Sequence, residues 1–195
     1  MAKPKRSARS QPLALELLTT DHRKVEDLFA QYEDGKDGDE GARRELAERI
    51  CAELKVHTQV EEELFYPWLR ENLDDDDMEM VEEAQVEHNG AKDLIEQIEG
   101  ASDIDEEYNA KVKVLGEYVK HHVNEEENGI FPKVSDQQEE LDELGQEMAA
   151  RKGELAEEMG LEPEGAEASE EDDEDAGQAP RSRQDTGEQG TRRSH

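Results

Sequence analysis

The sequence predicts an all-α fold, an up-down-up-down four-helix bundle with an extra C-terminal helix and a disordered acidic tail. Three observations predict it. Apolar residues recur at helical spacing through four long segments, breaks rich in glycine and aspartate separate those segments, and one pattern occurs twice. HTQVEEELFYP, with His57 and Glu61, returns as HVNEEENGIFP, with His122 and Glu126, and in each copy the glutamate stands six residues before a proline. An earlier histidine precedes each copy: His22 lies 35 residues before His57, and His88 lies 34 before His122. The flanks agree too, since Asp21-His22 leads to Asp27-Leu28-Phe29 as Glu87-His88 leads to Asp93-Leu94-Ile95. The chain reads as one two-helix unit used twice.

Residues 1–10 are basic, small and polar, a flexible arm, and the bundle occupies residues 11–134. The first helix is expected over residues 12–33, where Pro12 suits a helix start, with Leu15, Leu18, His22, Val25, Leu28 and Tyr32 on one stripe. DGKDGDEG turns the chain. The second helix spans residues 40–72, its inner face formed by Leu46, Ile50, Leu54, Phe65 and Trp68 with His57 and Glu61 in register, and Pro67 kinks or shortens its end. Four aspartates at 74–77 suit the positive end of the third helix, which runs to Glu99 with Val81, Ala84, His88, Ala91, Ile95 and Ile98 inward; Gly100 ends it. Asp103 and Glu106 form a capping pair for the fourth helix, whose stripe is Tyr108, Val112, Leu115, Tyr118, His122, Glu126 and Ile130. Pro132 closes this copy as Pro67 closes the first. Ser135 with Gln138 is a capping box for a peripheral fifth helix within residues 135–160, weakened near Gly153. Residues 161–195 are too polar to offset their ordering entropy and read as a disordered acidic tail.

At 195 residues and 32% apolar content the chain can hold one modest core, so one domain is expected. Its net charge of −32 argues against nucleic acid and anionic membranes as partners, because both repel it. The single cysteine, Cys51, excludes an intramolecular disulfide and fits a reducing compartment. With no long apolar stretch, and no hydrophobic segment after the basic start, a cytosolic location is expected.

The chemistry rests on the helical repeat. Residues at i and i+4 share a face, so His57 with Glu61, and His122 with Glu126, each form a two-ligand edge. His22 and His88 sit mid-helix on the partner helices, and inward stripes of a short-looped bundle converge on one layer. A lone histidine on an apolar face is more often a satisfied core residue than a ligand. Two buried carboxylates without an inward Lys or Arg, however, carry a large desolvation penalty that neutral imidazoles do not offset. A pair of divalent cations does. Imidazole and carboxylate without thiolate suit iron or manganese, with zinc also admissible, and bridging glutamates favour iron in a carboxylate-bridged pair over tetrahedral zinc.

These residues, read together, resemble the hemerythrin-like HHE cation-binding family: H, then HxxxE before a proline, then H, then HxxxE before a proline. The resemblance spans residues 12–134. It implies a four-helix bundle holding two non-haem irons, with His22, His57, His88 and His122 as terminal ligands and Glu61 and Glu126 as bridges. Two positions depart from the oxygen-carrying members. Their second histidine on the third helix is here Lys92, and their aspartate five residues after the last histidine is here Glu127, beside the better-phased Glu126. The resemblance therefore implies handling of oxygen, peroxide or nitric oxide, or sensing and storage of iron, rather than oxygen carriage alone.

Around the cluster, Tyr118 lies four residues before His122 and is read either as a core aromatic or as a hydrogen-bond donor to a bound oxygen species, the former being favoured. Glu127 is a candidate residue behind the ligands, and Asp21 and Glu87 are candidates to support a neighbouring histidine. His121 points about 100° away from His122 and is expected at the surface. Cys51 is expected to pack in the core. No cleft for an organic substrate is visible, so enzymes acting on larger substrates are disfavoured. The expected ligand is a diatomic or peroxide. The rivals are a non-catalytic iron-responsive module with an unidentified protein partner, and a metal-free acidic bundle.

Overall fold

The computed structural model describes residues 11–35 and 38–161. The expected basic arm, and the expected acidic tail beyond Leu161, lie outside the described residues. Within them there are helices and no strands: α1 Leu13–Asp34, α2 Glu40–Val60, α3 Tyr66–Asn72, α4 Met78–Glu99, α5 Glu106–Glu125, α6 Phe131–Val134 and α7 Gln138–Glu158. No helix among the described residues is long and apolar enough to cross a membrane. α1 packs on α2, α5 and α7, α2 packs on α4, and α4 packs on α5.

Periodicity explains the long helices. In α1 every expected stripe residue is buried, and in α4 Val81, Ala84, His88, Ala91, Ile95 and Ile98 are buried as the spacing requires. Gly100 ends α4 by returning its N–H to the Glu96 carbonyl. The core falls into two apolar clusters. One contains Leu15, Leu18, Val60, Phe65 and Val81, the other Val25, Leu28, Ile50, Ile95 and Leu115. In α1 His22 stands between the two, so a layer of histidine and glutamate divides the core. Cys51 is buried in the second cluster.

Two short π-helical turns, Glu61–Phe65 and Glu126–Ile130, correct the expected register. Each opens on the glutamate of its motif and closes just before the proline, with the Tyr66 N–H reaching the Glu61 carbonyl and the Phe131 N–H the Glu126 carbonyl. Proline lacks an N–H and crowds the carbonyl four residues back, and a widened turn relieves both problems without ending the helix. Pro67 therefore does not stop the helix, which continues to Asn72. The extra residue rotates the downstream side chains by one position: Tyr66 and Leu69 are fully buried, and Trp68, expected inside, is only half-buried. Leu46 is also only partly buried, beside fully buried Ala47.

The helix ends differ in detail. Asp105 caps α5 by accepting from the Tyr108 N–H, two residues from the expected Asp103 and Glu106 pair. No side-chain cap forms at α7, because the Ser135 hydroxyl turns back to the Pro132 carbonyl. α7 runs unbroken through Gly153. Nor is it an external addition in packing, since Leu141, Leu144, Met148 and Leu155 are buried in the first cluster. Gly145 lets it approach α1 closely: a Cβ there would stand 2.5 Å from the Ala14 nitrogen. Pro12 has no capping group, and α7 supplies one, the Asp142 carboxylate accepting from the Leu13 N–H at 2.9 Å.

Candidate metal centre

The polar layer gathers His22 from α1, His57 from α2, His88 from α4 and His122 from α5, with Glu61 and Glu126 from the starts of the π turns. All six are buried, the two glutamates completely. Their Nε2 and carboxylate atoms converge: His57 and His88 Nε2 lie 3.2 and 3.3 Å from Glu61 Oε2, and His22 and His122 Nε2 lie 3.3 and 3.6 Å from Glu126 Oε2. His88 and His122 Nε2 are 3.1 Å apart. Two overlapping donor groups result, His22, His57, Glu61 and Glu126 in one and Glu61, His88 and His122 in the other, each with its donor atoms within 4.8 Å. The sequence-derived set is thus brought together whole.

Behind each imidazole stands a carboxylate, and for Glu127, Asp21 and Glu87 sequence adjacency hinted at it. Glu127 accepts from His22 Nδ1 at 2.9 Å, Glu62 from His88 Nδ1 at 3.0 Å, and Glu87 from His122 Nδ1 at 3.0 Å. Asp21 faces His57 Nδ1 at 3.6 Å, too far for a hydrogen bond. The arrangement obeys the repeat: the residue after each motif glutamate serves the histidine of α1 or α4, and the residue before that histidine serves the next helix. A carboxylate that fixes the proton on Nδ1 leaves the Nε2 lone pair of the neutral ring facing inward, as a ligand requires.

Basic side chains back the carboxylates in turn. Arg23 pairs with Glu127, Lys92 with Glu62 at 2.7 Å, Lys152 of α7 with Asp21, and surface His121 with Glu87 at 3.4 Å. Lys92, at the position where oxygen carriers place a histidine, thus holds a carboxylate behind His88. Burial opposes the charge of Glu62, but hydrogen bonds from His88 and Lys92 outweigh it and hold the carboxyl at about 2.

Two residues at the site were missed by sequence reasoning: Glu62, which reads as a solvated charge, and Tyr66. Tyr66 is wholly buried, its hydroxyl donates to Glu126 Oε1 at 3.1 Å, and it lies 3.2 Å from His88 Nε2. Burial, then the charges of Glu126 and Glu61, push this phenol well above its ordinary range. The signal was present: Tyr66 and Phe131 occupy the same place in the two copies, before the proline, and differ by one oxygen. Tyr118 is the opposite case. It is 49% exposed, because the buried stripe of α5 runs through Leu115, Val119 and His122 and leaves position 118 at its edge.

The residues fit a cation on their own chemistry. His22 Nε2, both oxygens of Glu61 and Glu126 Oε2 are buried without a hydrogen-bond partner, a cluster of acceptors that ordinary cores avoid. Burial disfavours charge on the imidazoles, yet the close carboxylate of Glu126, the charge of Glu61 and the hydrogen bond to Glu127 outweigh it and raise His22 to about 9; Glu61 and Glu62 do the same for His88, also to about 9. Protons are held where a cation would be.

The family model described as the hemerythrin HHE cation binding domain matches residues 13–134, from the start of α1 to the end of α6. The chain belongs to this family. Hemerythrin HHE domains bind metal cations, in keeping with the two donor groups found here. The chain is also similar to a protein of Nostoc sp. named DNA nickase, 28% identical over 153 residues that cover 77% of this chain and 42% of that protein. It therefore spans less than half the length of that relative. No solved structure matches the chain significantly.

Proposed function

We propose that this hemerythrin domain holds two non-haem irons and binds or reacts with a small oxygen or nitrogen species: oxygen, peroxide or nitric oxide. The observation that carries the reading is the set of buried, unpartnered acceptor atoms on His22, Glu61 and Glu126, within a layer of four inward Nε2 atoms. The overlap of the two donor groups at Glu61 supports a pair of ions, and the lack of thiolate in either group supports iron over softer alternatives. The closed circuit of contacts α1, α2, α4, α5 supports an up-down-up-down four-helix bundle with α7 added to it.

Bound iron would supply Lewis acidity and electrons. The chain's own residues would do the rest. His22, His57, His88 and His122 hold the ions through Nε2, and Glu61 and Glu126 offset their charge. Glu127, Glu62 and Glu87 keep the Nδ1 protons in place, and the Tyr66 hydroxyl, between Glu126 and His88, would be a ligand or a proton donor. The same reading places the protein in a reducing cytoplasm, with neither nucleic acid nor membrane as partner.

Elemental analysis of native protein, purified without a metal-affinity column, tests the proposal: two irons per chain are expected, and iron-free protein would withdraw every redox role. Rapid peroxide consumption by the loaded protein would separate a reactive centre from an iron-responsive or storage module. The Nostoc relative supports a second reading, metal-assisted cleavage of a phosphodiester. The net charge of −32 opposes it by repelling the duplex. Conversion of supercoiled to open-circular plasmid, abolished by removing His57 and Glu61, would establish that second reading.

A further inference from the structure

The sequence gives no hint of room for an organic molecule, yet a cavity of about 360 Å³ adjoins the histidine layer. Val25, Leu54, Ala91, Val119 and Val123 form its apolar wall, and the four imidazoles of His22, His57, His88 and His122 meet at its polar end. Its other end lies at Val86 and Tyr118, which are 68% and 49% exposed. Gly90 widens the cavity there, since a Cβ at that position would lie 3.4 Å from the Tyr118 ring. A diatomic molecule needs little more than the space of one water, whereas an apolar cavity of about 150 Å³ already takes benzene. This one has more than twice that volume and falls within the range of small-molecule sites.

The charge of the lining narrows the occupant. Its ionisable residues besides the histidines are the carboxylates Asp21 and Glu87 and the phenol Tyr118, and none of the described lining residues is a lysine or arginine. An anionic amphiphile meets these carboxylates and the repulsion of a chain with net charge −32. An uncharged molecule with a hydrocarbon body and one oxygen-bearing end matches both ends of the cavity.

We propose that the cavity lined by α1, α2, α4 and α5 is a binding site for an uncharged organic hydroperoxide, whose apolar body lies along Leu54, Ala91 and Val119 and whose oxygen-bearing end faces the imidazoles. This rests on the peroxide reading of the metal centre and names its substrate class. The correction to the sequence reading is that a larger substrate has space. The cavity escaped notice because it arises where small side chains on different helices fail to fill the layer between them, a property of packing rather than of any one stripe.

The test measures binding by calorimetry on the native, metal-loaded chain, with cumyl alcohol as an unreactive probe of the hydroperoxide shape. Saturable binding at one site is expected, at least tenfold weaker for 4-isopropylbenzoate, an anion of similar size. Ala91→Phe, which fills the cavity, and Gly90→Val, which crowds its outer end, should each weaken cumyl alcohol at least tenfold while circular dichroism and metal content stay as in the parent. Should Ala91→Phe fail to fold, Gly90→Val carries the comparison. Absence of cumyl alcohol binding, equal binding by the folded variants, or tighter binding of the anion overturns the proposal. Metal analysis of the same samples separates the failures: metal-free protein that still binds cumyl alcohol sinks the peroxide assignment while the cavity's occupancy stands.

Discussion

Tyr66 and Phe131 sit at matching places in the two copies, each against a histidine ring, Tyr66 with its centroid 5.3 Å from His88 and Phe131 at 6.1 Å from His22. One hydroxyl therefore makes the halves of the centre chemically unlike. Tyr66→Phe leaves Glu126 Oε1 without its donor and should destabilise the chelated protein by about 1–2 kcal/mol, read from urea midpoints. At His57 and Glu61 the sign depends on metal. Replacing both by leucine should abolish metal retention, yet leave the chelated bundle as stable as its parent or more so by about 1–3 kcal/mol, because unpartnered buried acceptors disappear. Loss of stability in the chelated variant would show that these residues are structural. The same layer sets a pH dependence. His22 and His88 are raised from 6.5 to about 9, so in metal-free protein their imidazolium forms contribute stability that is complete below pH 6.5 and lost as pH rises through 9. Urea midpoints of chelated protein should fall across that window, and metal uptake within it should release protons to a pH indicator.

At the level of elements, the π turns and α7 do what the two-helix repeat does not. Each π turn keeps its helix continuous through the proline and swings the next residues one position inward, which is how Tyr66 reaches Glu126. α7 is bound to α1 by a close backbone approach at Gly145, by the Asp142 carboxylate on the Leu13 N–H, and by Lys152 on Asp21. Gly145→Leu forces the helices apart and should cost about 1–3 kcal/mol. Asp142→Ala removes a cap worth about 1 kcal/mol. Both are measured by chemical denaturation, and hydrogen exchange should show the start of α1 opening before its middle. The helical periods, the HxxxE edges and the six candidate ligands were legible in the sequence, because each depends on spacing within one helix. The inward turn at Tyr66, the outward place of Tyr118 and the depth of α7 were not, because one residue of register or one contact between distant helices decides them.

For the whole molecule, a net charge of −32 means the folded chain repels itself. Raising sodium chloride from low levels to 0.5 M should raise Tm, since the screening length shrinks from about 10 Å at 0.1 M toward 3 Å at 1 M. Removing metal should lower Tm by more than any salt effect on the chelated chain, because a cation held at 1,000 times its Kd stabilises by about 4 kcal/mol. Calorimetry with and without chelator reads both. The two apolar clusters on either side of the layer keep their own contacts without metal, so its removal should weaken the fold without abolishing it.

The sequence by itself determined the helices, the repeat, the six candidate ligands and the family, because helical periodicity and i, i+4 spacing are local and one pattern recurs. Only the tertiary structure decided which carboxylate stands behind which imidazole, that Lys92, Lys152 and Arg23 neutralise those carboxylates, that a phenol enters one half of the site and that a cavity opens beside it. Those features depend on how helices distant in sequence approach one another, and a single widened turn or a glycine in place of a larger side chain changes that approach.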